Sequence, residues 1–350
     1  MAARSSSSAS GKSKGKSSGG KKAPASAGKS GKGKNVKAKI SFSWKVFCAA
    51  LVSMVFLFGV HTFAEYISPE YRSFFREQRE DIVQKVTQTA QKIEGKFSPE
   101  PAITIEKGSD NYKYDNLTVG VPTYQCDVII DRVGYALGYA EKYEQPLWVA
   151  YKLTADEVRS KKARRSDDFR ADPDIPSGSA TPEDYRGSSY DRGHLAPAAD
   201  MSFSIQAMSE SFYMSNMSPQ TAAFNRGIWK DLEAQVRNYA LYNQEIYVVT
   251  GPIFSSKEPV ITIGANKVSV PDKYYKVLLD VKNARAIGFV LDNRGTKQPL
   301  KNFAVTVDEV ERLTGLDFFN KLDDRSENKL ESRCDFQSWE NSLPQRLRCK

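Results

Sequence analysis

Histidine is nearly missing from this chain: there are two, and His61 falls in an apolar run, so His194 is the single imidazole left to the remainder. A metal site built from several histidines is thereby excluded. Cysteine is scarce as well. Cys48, Cys126, Cys334 and Cys349 show no CxxC or Cys/His ligand spacing, which argues against structural zinc. In an oxidising compartment a Cys334–Cys349 disulfide could staple the C-terminal tail, leaving Cys126 as a buried strand thiol. Acidic residues are absent before Glu65, where Arg4 and eleven lysines stand. Since the whole chain carries a formal +9, the part from Glu65 onward carries −3. A nucleic-acid site in that part must therefore be a local cluster of arginines, because the net charge supplies no steering field.

Residues 1–45 are a Lys/Ser/Gly-rich mixture with few large apolar side chains, a composition that cannot offset chain entropy and predicts a disordered tail. From Val46 to Ala64 no residue is charged, a length that suits a transmembrane helix across a bilayer core of about 30 Å. Positive charge before this segment and Glu65 after it put the N-terminus in the cytoplasm and the rest outside it, periplasmic, extracellular or lumenal. Thr62-Phe63-Ala64 also fits a cleavage site, which would make the protein secreted; the long polar region before it favours a signal anchor. Residues 65–97 read as a helical stalk, closed by the breaker Ser98-Pro-Glu-Pro101. The remainder, 98–350, reads as one α+β domain with a mixed or antiparallel sheet: strands over Cys126–Ile130, Leu147–Leu153, Ile246–Thr250, Tyr274–Val281 and Ala286–Leu291, and helices over Ser204–Ser215 and Ile228–Ala240.

His194 sits in Tyr190-Asp-Arg-Gly-His-Leu-Ala-Pro197, a turn-like passage in which Gly193 can take a positive φ and let backbone approach a ligand. With an ordinary pKa of about 6.5, such a histidine can take a proton from water near neutral pH, and activity should then fall on acidification through that value. A half-buried histidine with no role is the plain alternative. Asn216-Met-Ser-Pro-Gln220 follows, and then Asn225-Arg-Gly-Ile-Trp-Lys-Asp-Leu-Glu233. On a helix starting near Gly227, Asn225, Trp229, Glu233 and Arg237 recur every four residues, so an amide oxygen, a carboxylate and a guanidinium can face one cleft. That donor set suits a hard cation such as Mg²⁺, which takes few protein ligands and keeps its waters. Taken singly, Asn225 is equally a helix cap, and Glu233 with Arg237 an ordinary surface pair.

Together these passages resemble the DNA/RNA non-specific endonucleases, the ββα-metal (His-Me finger) family that includes mitochondrial endonuclease G. The likeness runs from about Asn111 to Leu316, with Leu147-Trp-Val-Ala-Tyr-Lys-Leu-Thr154 and Thr250-Gly-Pro-Ile253 as supporting landmarks. It implies that His194 activates the attacking water, that Asn225 ligates one Mg²⁺ (Mn²⁺ being a substitute) and that Glu233 holds the ion through a water. Asn216 would orient the site, and Arg192 and Arg237 would contact phosphate. An upstream arginine is also implied, for which Arg164, Arg165 and Arg170 compete. The implied reaction is hydrolysis of DNA and RNA to 5′-phosphate ends; the further candidate partners are the membrane, through the apolar segment 46–64, and a second copy of the chain as a homodimer. A membrane-anchored protein that binds nucleic acid without cutting it is the alternative.

Overall fold

The computed structural model describes residues 112–349, apart from 124 and 256–260, together with the isolated positions 84, 103 and 105. The tail, the apolar segment 46–64 and the stalk lie outside the described residues; among the described residues no helix is long and apolar enough to cross a membrane. All the described positions except Gln84 belong to the unit Pro99–Lys350.

Eleven strands are described: β1 (Val128–Asp131), β2 (Ala136–Ala140), β3 (Gln145–Thr154), β4 (Tyr190–His194), β5 (Met217–Thr221), β6 (Glu245–Ile253), β7 (Thr262–Ile263), β8 (Val268–Ser269), β9 (Lys273–Asp280), β10 (Arg285–Asp292) and β11 (Ala304–Val305). Eight helical segments accompany them: α1 (Ala155–Arg159), α2 (Pro182–Tyr185), α3 (Ile205–Glu210), α4 (Ala222–Phe224), α5 (Lys230–Asn243), α6 (Val307–Thr314), α7 (Asp324–Glu331) and α8 (Phe336–Asn341). Seven strands form one sheet in the order β1-β2-β3-β6-β9-β10-β11. Every pairing in it is antiparallel, which resolves the expected mixed or antiparallel sheet in favour of the latter.

Both faces of the sheet are buried, so its central strands read as nearly continuous apolar runs. On β3, Val149, Tyr151 and Leu153 enter one core cluster while Trp148 and Ala150 enter the other. β9 alternates in the same way, with Tyr274 and Leu278 facing one core and Tyr275, Val277 and Leu279 the opposite one. Lys276 shares the first face and is fully buried. α5 lies on this face and buries Leu232, Val236, Tyr239 and Ala240, whose helical spacing presents one stripe.

β3 and β6 pair side by side, Thr154 opposite Glu245, although the chain runs from Ala155 to Gln244 between them. The amide of Ala155 donates to the carbonyl of Gln244 at 2.7 Å, closing that excursion at its base. Within it, β4 and β5 form a separate two-stranded ribbon, and α4 and α5 follow. The order β4, β5, α5 is the ββα arrangement the resemblance implied.

Two local expectations are corrected. The Asp-Arg-Gly-His passage is not a turn but strand β4, paired along its whole length with β5. Gly193 keeps a negative-side backbone; a Cβ there would come within 2.2 Å of the Gln220 side chain, so close packing across the ribbon, not a positive φ, calls for glycine. Cys126 precedes β1 and is only half-buried, and Cys126, Cys334 and Cys349 are all free thiols, so the expected staple is not formed.

Candidate active site

His194 ends β4 as a nearly enclosed side chain, 9% exposed. The ring stands edge-on to Phe212 and Phe169, with centroids 4.8 and 5.7 Å away. Its Nε2 is enclosed and has no hydrogen-bond partner among the described residues. Burial pushes the His194 pKa down to about 3, and the nearby guanidinium groups of Arg165 and Arg192 push the same way. The imidazole is therefore neutral far below the pH at which an ordinary histidine protonates, which moves the acid limb expected near 6.5.

Asn216 fixes the turn that follows. It is fully buried, its Oδ1 accepts from the Ala196 amide at 2.9 Å, and its Nδ2 donates to the carbonyls of Ala196 and Ser211 at 3.0 and 2.9 Å. With both ends of the amide spent on backbone, Asn216 orients the segment carrying His194 and does not reach the cleft.

Beyond β5 the helix does not begin cleanly. Asn225–Trp229 is a π-type turn with Gly227 at φ −108°, ψ −117°, a kink between α4 and α5. Wide turns of this kind re-aim a side chain and concentrate at functional sites. Here the turn sets Asn225 into a cleft of about 570 Å³ lined by Arg165, Phe169, Tyr185, Arg186, Tyr190, Asp191, Arg192 and Arg226, among others. Asn225 is thus not the helix N-cap that its place in the sequence also allowed. Asp191 clamps it: Asn225 Nδ2 donates to the carboxylate at 2.9 Å, and Arg226 adds bonds of 2.8 and 2.6 Å. Burial opposes the charge on Asp191, but the bonds from Arg226 and Asn225 outweigh it and hold its pKa below the ordinary value. The amide nitrogen is anchored, and the Asn225 carbonyl oxygen accepts no hydrogen bond from any described residue.

One turn into α5, the Glu233 carboxylate likewise accepts no hydrogen bond from a described residue. Burial raises its pKa, the buried ammonium of Lys276 opposes that rise, and Asp200 adds to it. Lys276 Nζ lies 4.7 Å over the Trp229 ring, has no hydrogen-bond partner among the described residues and is pushed down by burial. An amide oxygen and a carboxylate, both unspent, fit a hard divalent cation that retains most of its waters.

Arg237, expected at a phosphate, makes an ion pair within the fold. Its Nη1 is bonded to the buried carboxylate of Asp200 at 2.7 Å, and it does not line the cleft. Arg192 does line it, with its guanidinium 4.0 Å over the Phe169 ring. Among the three competing upstream arginines, Arg165 lines the cleft and bears on both His194 and Glu233. Arg170 is spent on Asp168 and Ser209, and Arg164 does not line the cleft. Sequence reasoning missed Asp200, three residues beyond Pro197, together with Lys276, far from the motif in the chain, and the cleft arginines 186 and 226. Only Asp191 carried a signal, as the first residue of the motif.

A basic cleft beside a buried histidine and two free oxygen donors calls for comparison with known proteins. The family model for DNA/RNA non-specific endonucleases matches residues 113–325. The chain belongs to that family. Nuclease C1 of Cunninghamella echinulata var. echinulata is 39% identical over 210 residues, 55% of this chain and 83% of that protein. Human mitochondrial endonuclease G is 36% identical over 201 residues, 53% of this chain and 68% of that one. The match spans as little as 56% of some relatives, mouse mitochondrial EXOG among them. A crystal structure of an EndoG/EndoGI complex has a TM-score of 0.56 at 33% identity, covering 61% of this chain and 94% of that chain. The chain is accordingly a nuclease that hydrolyses nucleic acids, in a family that depends on divalent metal.

Proposed function

We propose that the protein is a sequence-nonspecific endonuclease cutting both DNA and RNA, with His194 as general base. The observation that carries this reading is that the unspent Asn225 oxygen and the guanidinium groups of Arg165 and Arg192 line one cleft, while a neutral, buried imidazole behind it feels the charge of both arginines. Asn225 would hold a Mg²⁺ directly and Glu233 would hold it through a water, Mn²⁺ being a substitute. When bound, the ion neutralises charge developing on the phosphate and the leaving oxygen.

With Nε2 enclosed, Nδ1 of His194 is the nitrogen left to accept the proton as a water attacks phosphorus. Arg165 and Arg192 bind the phosphodiester oxygens, where planar guanidinium groups match the anion. A bound phosphodiester also offsets the two positive charges that depress His194, making the imidazole a stronger base once substrate is in place. The cleft offers charge and aromatic faces to the backbone, and contacts of that kind carry no base identity, which suits a nuclease indifferent to sequence and sugar.

Cleavage of supercoiled plasmid and of single-stranded RNA, with Mg²⁺ and with EDTA, tests this reading. The parent should cut both only with metal, His194→Ala should lose about 10²-fold or more in rate while still binding, and Asn225→Ala should need far more metal. Binding without cutting in the parent would restore the tethering alternative. The membrane anchor at 46–64 and an extracytoplasmic nuclease domain belong to the same proposal. Release of the chain from membranes by an alkaline wash would overturn that part.

A further inference from the structure

Away from the cleft, α6 and α7 pack on the opposite core through Val307, Val310 and Leu330. Acids cluster where the two helices meet. Asp308 and Glu311 share one face of α6 at i,i+3, and Glu327 and Glu331 share one face of α7 at i,i+4, spacings at which like charges repel. Carboxylate oxygens of Asp308, Glu311 and Glu331 all lie within 4.8 Å of one another.

Glu331 is the anomaly. It is 5% exposed, and its Oε1 has no hydrogen-bond partner among the described residues; Glu327 Oε1 is likewise enclosed and unpartnered. Burial pushes the Glu331 pKa up to about 9, and the charged neighbours bearing on it most are Glu311, Glu327, Asp308 and Asp317, all acids. Leaving a buried carboxylate uncompensated is costly, so such a group is expected to be paired, protonated or bound to a cation. Glu311 keeps one oxygen for a ligand, since Oε1 accepts the Phe318 amide at 2.8 Å.

We propose that Asp308, Glu311 and Glu331 form a second metal site, for Ca²⁺, that ties α6 to α7. Three oxygens from carboxylates are hard ligands, and Ca²⁺ accepts the irregular, flexible geometry that side chains from two helices offer, whereas Mg²⁺ demands a near-ideal octahedron and dehydrates reluctantly. Asp308 is exposed at the rim, which gives the ion an entry path and room for waters. The site is remote from Asn225 in the chain, lies on the other core, and does not depend on the nuclease reading.

Thermal unfolding of the full-length chain in chelator and in CaCl₂ tests it, in parent, Asn225→Ala, Glu331→Gln and Asp308→Asn forms. Ca²⁺ at about a hundredfold excess over its Kd should raise Tm by roughly 5 °C in the parent. The same rise should persist in Asn225→Ala, which lacks the cleft ligand, and vanish in Glu331→Gln. In chelator near neutral pH, Glu331→Gln should melt close to the parent, because a carboxyl pushed up to about 9 is already uncharged there. Asp308→Asn should need more Ca²⁺ for the same rise, a readout that stands even if Glu331→Gln fails to fold. No rise in Asn225→Ala, or an undiminished rise in Glu331→Gln, would overturn the site.

Discussion

The role proposed for His194 pulls against its setting: a base must accept a proton, yet burial and two arginines make acceptance unfavourable in the free protein. The linkage has a definite sign. Unfolded chains protonate this histidine near 6.5 while the folded one resists to about 3, so between those values the unfolded state binds more protons and stability falls as pH falls. Denaturant unfolding at pH 7 and pH 5 should show the parent losing about 2 kcal/mol more than His194→Gln over that interval. Equal losses would mean that the imidazole is not shielded as described. At this scale the sequence was informative about His194 and Asn225, because each sits in a short motif whose neighbours act with it. It was silent on Lys276 and Asp200, since a buried lysine on an apolar strand reads as an exposed one until the opposing helix is in place.

The ribbon of β4 and β5 positions His194, and its tightest point is the crossing of Gly193 by Gln220, whose amide atoms are enclosed and unpartnered among the described residues. Gly193→Ala should cost about 1–3 kcal/mol by overpacking and lower turnover further by displacing His194. Gln220→Ala removes the obstructing atoms, so the double variant should recover most of the loss. Strictly additive effects in that cycle would show that the two residues do not meet. The central strands were legible as elements: β3, β6, β9 and β10 are apolar runs, and the expected bounds fall within about three residues of those observed. β4 and β5 were not. Tyr-Asp-Arg-Gly-His and Met-Ser-Pro-Gln-Thr have neither alternation nor β-branched runs, and they hold together because tertiary packing overrides weak local preference. The π-type turn was hidden for a related reason, as Asn-Arg-Gly also spells an ordinary helix start.

On the whole molecule, a formal charge of −3 from Glu65 onward means that attraction to nucleic acid must come from the cleft. Four arginines line it, 165, 186, 192 and 226. Binding of DNA by the His194→Ala chain should weaken with salt, and replacing Arg186 and Arg226 by alanine should reduce the slope of log K against log salt by about two. An unchanged slope would place the phosphate contacts elsewhere, the lysine tail included. The family could be read from the sequence, as could the motif residues proposed to act together; the pairing that gathers them could not, because β3 and β6 become neighbours only after the intervening chain has folded back. That closure at Ala155 and Gln244 makes the chemistry portable. His194, Arg165, Arg192, Asn216, Asn225 and Glu233 are all written in one uninterrupted passage whose two ends meet, so exchanging that passage between relatives would transplant the proposed active site while leaving the register of the host sheet untouched.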